Sequence, residues 1–140
     1  MSRLARLLAL TATLVLAACA SGGGSQTDAL DRAQYAWSAA VRWNDFEGAV
    51  NLIDPDRRAE LAPTGLQMER YRQVQMSAYR DVGSSRDLDA GTAARDIEIG
   101  VINRHTQAER RLRHRETWRW DPEARTWWNT SGLPDLWEGQ

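Results

Sequence analysis

The sequence predicts an α+β domain in which N-terminal helices pack on one face of a curved antiparallel sheet of about four strands. Three observations carry this reading. Apolar residues recur at helical spacing over residues 28–53. The period then shortens to two, most clearly over residues 96–101 and 111–120. Finally, helices come first in the chain and strands follow, the order expected when helices cover one face of an antiparallel sheet.

The chain opens on a leader. Arg3 and Arg6 give a positive start, residues 7–16 are an uncharged run of Leu, Ala, Thr and Val, and small residues follow, which is the three-part layout of an export signal. The uncharged stretch reaches only to Ala20, short of the ~20 residues that a membrane-crossing helix needs. Leu16-Ala17-Ala18-Cys19 resembles the bacterial lipobox at all four positions. The resemblance implies that residues 1–18 are a signal peptide cut before Cys19, and that Cys19 is lipidated. Two or three acyl chains on that cysteine anchor a protein stably, whereas one holds it only marginally. An ordinary secretory signal cut after Ala20 is the rival reading, since Ala18-Cys19-Ala20 also satisfies the small-x-small rule. Ala20 stands where an aspartate would favour inner-membrane retention, so the expected address is the periplasmic face of the outer membrane.

Residues 19–27 then form the lipidated cysteine and a flexible tether containing Ser21-Gly22-Gly23-Gly24-Ser25-Gln26. Residues 28–140 are expected to form a single domain, since cleavage leaves about 122 residues, the size of one ordinary core. Cys19 is the only cysteine, so packing alone must stabilise that core. All 18 basic residues are arginine, and without Arg3 and Arg6 the net charge is about −3, which argues against a nucleic-acid partner.

Asp28, with Asp31 three residues on, can cap a helix running to about Val41 with Leu30, Ala33, Trp37 and Ala40 or Val41 on one face. Asn44 and Glu47 make a capping-box-like start to a second helix carrying Phe46, Ala49, Val50 and Ile53, which must stop near Asp54-Pro55. Residues 56–61 can add a turn or two before Pro63 and Gly65 end it. A strand is expected over residues 71–82, on the alternation of Val74, Met76 and Ala78, with a break at Gly83-Ser84-Ser85. Ile97, Ile99 and Val101 alternate with Asp96, Glu98 and Gly100. Further on, Leu112, His114, Glu116, Trp118 and Trp120 alternate with Arg111, Arg113, Arg115 and Arg119. Pairing Ile97 with Trp118, Ile99 with Glu116, Val101 with His114 and Asn103 with Leu112 sets Asp96 against Arg119 and turns the arginines to water. Residues 121–125 form a turn into a last strand over residues 126–130.

The early helix with Trp37 and Trp43, the Asn44-Asp45-Phe46-Glu47-Gly48-Ala49 step and the late Glu116-Thr117-Trp118-Arg119-Trp120-Asp121 and Trp127-Trp128 hairpin resemble the nuclear transport factor 2-like superfamily. Cystatin-like helix-on-sheet domains are similar. The resemblance implies a cone-like domain that serves, in different members, as an enzyme, a ligand holder or an interaction module.

Within such a cone, Asn103, His114, Glu116 and Trp118 are the candidate pocket residues. His114 and Glu116 stand two apart on the inward face, about 7 Å from each other, where an acid–base pair could line a cavity. Structural roles for both, each satisfied by a protein partner, are the competing expectation. His105 is expected inward too, but too far from His114 to share a metal. No nucleophile elbow, phosphate-binding glycine loop or metal-ligand spacing appears, and neither a cofactor nor a metal is expected. The arginine ladder, Arg111, Arg113, Arg115 and Arg119 with Arg104 opposite, reads as a solvated strand face; Trp127 and Trp128 point to opposite faces of their strand, so one of the two, or Trp137, could serve as a contact surface. The expectation is therefore a non-enzymatic envelope lipoprotein, partnered by the membrane through Cys19 and by an envelope protein or cell-wall component. The alternative is a small-ligand binder or enzyme using the sheet interior.

Overall fold

The computed structural model describes residues 25–137. Residues 1–24, with the expected leader, Cys19 and the glycines of the expected tether, lie outside the described residues, as do the last three positions. Among the described residues four helices precede four strands: α1 (Gln26–Arg42), α2 (Phe46–Val50), α3 (Arg58–Leu61), α4 (Gly65–Tyr71), β1 (Val74–Asp87), β2 (Thr92–Asn103), β3 (Glu109–Asp121) and β4 (Thr126–Asn129). The strands pair antiparallel in the order β1-β2-β3-β4, so the sheet is a meander and the class is α+β as expected.

Helix α1 starts earlier than the sequence suggested. Ser25, assigned to the tether, is its cap, and Asp28 is the third residue of a reciprocal capping box, with both bonds at 3.1 Å. Leu30, Trp37 and Val41 are buried along one stripe, with Ala33 and Ala40 packed beside them. Asn44 takes a left-handed conformation at φ 60° that ends α1, and its side-chain amide donates to the Val74 carbonyl at 2.6 Å. The α2 cap is consequently Asp45, bonded to the Gly48 N–H at 2.9 Å, not the expected Asn44–Glu47 box. A Cβ at position 48 would meet the Asp45 carboxylate as it is placed, so a side chain there would force that carboxylate to turn.

Helix α4 was not anticipated, although Thr64 and Gln67 form a second capping box of the same spacing. It takes Tyr71 out of the expected strand, so β1 begins at Val74 and continues through Gly83-Ser84-Ser85, where a break was expected. Two irregularities, between Met76 and Ala78 and between Asp81 and Gly83, let it do so. The first changes which parity faces inward, so that Val74 and Met76 are buried before it and Tyr79 after it.

The β2–β3 hairpin keeps the expected faces but not the expected partners. Ile97 pairs with His114, Ile99 with Leu112 and Asp96 with Arg115, a slide of four residues. An even slide preserves inward and outward sets, because side chains alternate with period two. The slide moves the turn two residues earlier in the chain: Asn103 Oδ1 accepts the N–H groups of His105 and Thr106 at 2.9 and 3.1 Å, and Gln107 closes it at φ 58°. His105 therefore sits exposed in the turn, correcting its inward assignment, and Arg104 bonds the Val74 carbonyl at 3.1 Å instead of extending the ladder.

The core lies between α1 and the concave face of the sheet. Trp37, Val41, Phe46, Ile53, Ile97, Ile99, Val101, Trp118, Trp127 and Leu136 are essentially inaccessible to solvent. Ile53 reaches Asn129 in a short parallel bridge, and Asp54, which accepts from Arg119 at 2.6 and 2.9 Å, pins the segment after α2 to β3. That pair holds the Asp54 carboxyl below its ordinary range, with the Arg119 hydrogen bond the largest cause.

Candidate functional site

The middle of the concave face is occupied by a hydrogen-bonded cluster built around Glu116. Strand alternation turns Glu116 inward from β3, where it is fully buried. Arg95 enters from β2, directly opposite in register, and its Nε and Nη2 donate to Glu116 Oε2 at 2.9 and 2.6 Å. Tyr79 donates its phenol to Glu116 Oε1, and the Trp118 indole N–H donates to Oε2 at 3.3 Å. Arg95 Nη2 also reaches Ser38 Oγ at 3.0 Å and the Gln34 carbonyl at 3.3 Å, both on α1. The cluster thus ties helix to sheet through three strands.

Its electrostatics follow from burial. Desolvation pushes the Glu116 carboxyl above its ordinary value, opposed by the Arg95 charge and the three donor side chains. Burial, reinforced by the Glu116 carboxylate, pushes the Tyr79 phenol up, which keeps it a donor. Trp37 packs edge-on against Trp118, ring centroids 6.0 Å apart at 84°, and completes the filling.

The four candidate pocket residues separate into different settings. Glu116 and Trp118 are in contact and fully engaged. His114, the next inward residue on β3, is alone: its Nε2 is buried with no hydrogen-bond partner, and burial lowers its pKa to about 4. Asn103 serves the hairpin turn. Arg95, Tyr79 and Ser38 are the members that sequence reasoning missed. For Arg95 the signal was present, since an arginine on the inward face of an apolar strand demands an inward carboxylate.

Clefts of 110 to 550 Å³ open on the surface of the described residues; Trp118 flanks two of these, and Asn103, His114 and Glu116 are not among their lining residues. No cluster of three metal-ligating side chains occurs among the described residues, and no helix there is long and apolar enough to cross a membrane. On the outer face Arg115 pairs with Asp96 at 2.8 Å, Arg80 with Glu98, and Arg111 stands 3.8 Å from Glu98, leaving the ladder largely neutralised. Trp128 bonds Asp121 at 3.1 Å and is half-buried, while Trp43 is the exposed tryptophan, at 82%.

No protein-family model matches the chain, and no curated protein matches it. Among solved structures it is similar to a Sec-C motif containing protein from Psychrobacter arcticus, at 9% identity and a TM-score of 0.57, covering 81% of this chain and 64% of that one. It is also similar to a protein from the NTF2-like family of Streptomyces avermitilis, at 15% identity and a TM-score of 0.49, covering 76% of this chain and 96% of that one. The chain thus spans less than two thirds of the length of the first of these. A likeness at 9% identity is one of fold alone: helices laid on one face of an antiparallel sheet.

Proposed function

We propose that this chain is a lipoprotein of the cell envelope, held to the outer membrane through Cys19, whose domain works by contacting an envelope protein or a cell-wall component and not by catalysis. We further propose that the domain is a nuclear transport factor 2-like cone. The observation that carries the reading is the filled concave face. Where a cone-type enzyme would keep a cavity, Trp37, Trp118, Tyr79 and the Arg95–Glu116 pair occupy the space, and every Glu116 partner is a side chain of the domain itself. A catalytic carboxylate must reach a substrate proton, and this one is committed on both oxygens. The anchor rests on the leader and on the four-residue match ending at Cys19.

A second reading, a small-ligand binder or enzyme working from the sheet interior, is favoured by the unpartnered polar atoms buried at that face, His114 Nε2 and the Trp37 indole N–H. The anchor is tested by Cys19→Ser in cells. The expected outcome is loss of incorporated fatty-acid label and movement of the protein from the membrane to the soluble periplasmic fraction. A variant that stays membrane-bound with the parent's mass would refute the lipidated-cysteine reading.

A further inference from the structure

The C-terminal segment is strapped across α4. Leu136 is fully buried, Tyr71 donates its hydroxyl to the Pro134 carbonyl at 2.7 Å, and the Trp137 ring stands edge-on to Tyr71 with centroids 4.8 Å apart. Gly132, at φ 76°, turns the chain into this strap against Leu61. Between the strap and the α3–α4 corner lies a cleft of about 280 Å³, walled by Leu61, Pro63 and Leu133 on its apolar side and by Gln67, Arg70 and Asp135 on its polar side. Its size falls just below the ~300–1,000 Å³ of drug-sized sites and suits a smaller molecule.

The polar wall is held ready by the protein and left unspent. The Arg70 guanidinium lies 4.4 Å from the Trp137 ring centre, a stacking that fixes its plane while using none of its N–H donors. Arg70 has no acceptor among the described residues, as is also true of exposed arginines such as Arg113 and Arg125, and what sets it apart is its stacking on Trp137 in the wall of a cleft. Gln67 Oε1 caps α4 by accepting the Thr64 N–H, which leaves its NH₂ donors over. Asp135 Oδ1 accepts the Trp137 N–H at 2.9 Å, which leaves Oδ2. Burial pushes the Tyr71 phenol up, with the Asp135 charge adding to the shift and the Arg70 charge opposing it, so both charges bear on the same wall of the cleft.

We infer that this cleft binds a small zwitterion, an α-amino acid with an aliphatic side chain. Arg70 and the Gln67 amide take its carboxylate, Asp135 takes its ammonium group, and Leu61, Pro63 and Leu133 take its side chain. The planar, stacked guanidinium matches a carboxylate. A phosphate dianion fits poorly, because Asp135 repels the second charge. The inference uses neither Cys19 nor any residue of the Glu116 cluster, so it is independent of the proposed anchor.

The test is calorimetric titration of the full chain in detergent micelles with L-leucine, N-acetyl-L-leucine, L-leucinamide and inorganic phosphate. Leucine is expected to bind, with either blocked analogue weaker by roughly tenfold or more. Arg70→Gln should erase the preference for leucine over leucinamide, and Asp135→Asn the preference for leucine over its N-acetyl form. Both side chains are exposed, and unchanged melting midpoints would certify the variants. Should either unfold, the analogue series on the parent decides. Absence of heat with leucine, affinity indifferent to both blocking groups, or phosphate binding more tightly than leucine would each overturn the inference.

Discussion

Glu116→Leu is expected to cost about 3–5 kcal/mol, the range for breaking a buried ion pair by removing one partner. The loss comes less from the absent attraction than from what remains. Arg95, itself 8% exposed, would keep a full charge in the core with only Ser38 and a carbonyl as partners, and Tyr79 and the Trp118 indole would lose their acceptor. Replacing both ends, Arg95→Met with Glu116→Leu, removes the stranded charge and should recover most of the loss. Urea melts of the two single variants and the double variant give the coupling directly. If the single Glu116→Leu melts with the parent, the pair is not buried as described.

His114 two residues away behaves oppositely. Sequence reasoning expected a protein partner for it, and the structure supplies none at Nε2. With a folded-state pKa of about 4 against 6.5 unfolded, the unfolded chain binds the proton first, so stability falls as pH drops from about 6.5 towards 4. His114→Leu removes both the orphaned nitrogen and this slope. Its melting midpoint should equal or exceed the parent's and depend less on pH over that window.

Trp118→Ala is expected to cost about 3–5 kcal/mol, as truncation of a buried aromatic does. The side chain is 2% exposed, stacks edge-on with Trp37 and donates to Glu116, so its loss opens a cavity and weakens the polar cluster together. Arg113→Ala, on the same strand facing out, should shift stability by less than about 0.5 kcal/mol. Comparable losses in urea for the two variants would mean that the inward and outward faces of β3 are misassigned.

These faces were legible in the sequence because period-two alternation on β2 and β3 is strong, with arginine and isoleucine marking opposite sides. Pairing was less legible. Every even slide satisfies the same hydrophobic pattern, and only the turn chooses among them, through Asn103 accepting two backbone N–H groups. The bulged β1 hid its length because a bulge breaks the alternation that signals a strand. Helix α4 hid behind Pro63 and Gly65, which read as terminators although Gly65 is the first helical residue after the Thr64 cap. At the site, Glu116 and Trp118 could be placed on one face from spacing, but Arg95, Tyr79 and Ser38 come from three other elements, and local sequence does not bring those together.

The central claim is that the concave face is filled and closed. Exchange of the tryptophan indole N–H protons, followed by NMR in D₂O, reads it directly. Trp37 and Trp118 should exchange only on global unfolding, many orders of magnitude more slowly than Trp43, which is 82% exposed. Indole protons of Trp37 and Trp118 that exchange as fast as that of Trp43 would mean a water-filled cone, and would contradict the account.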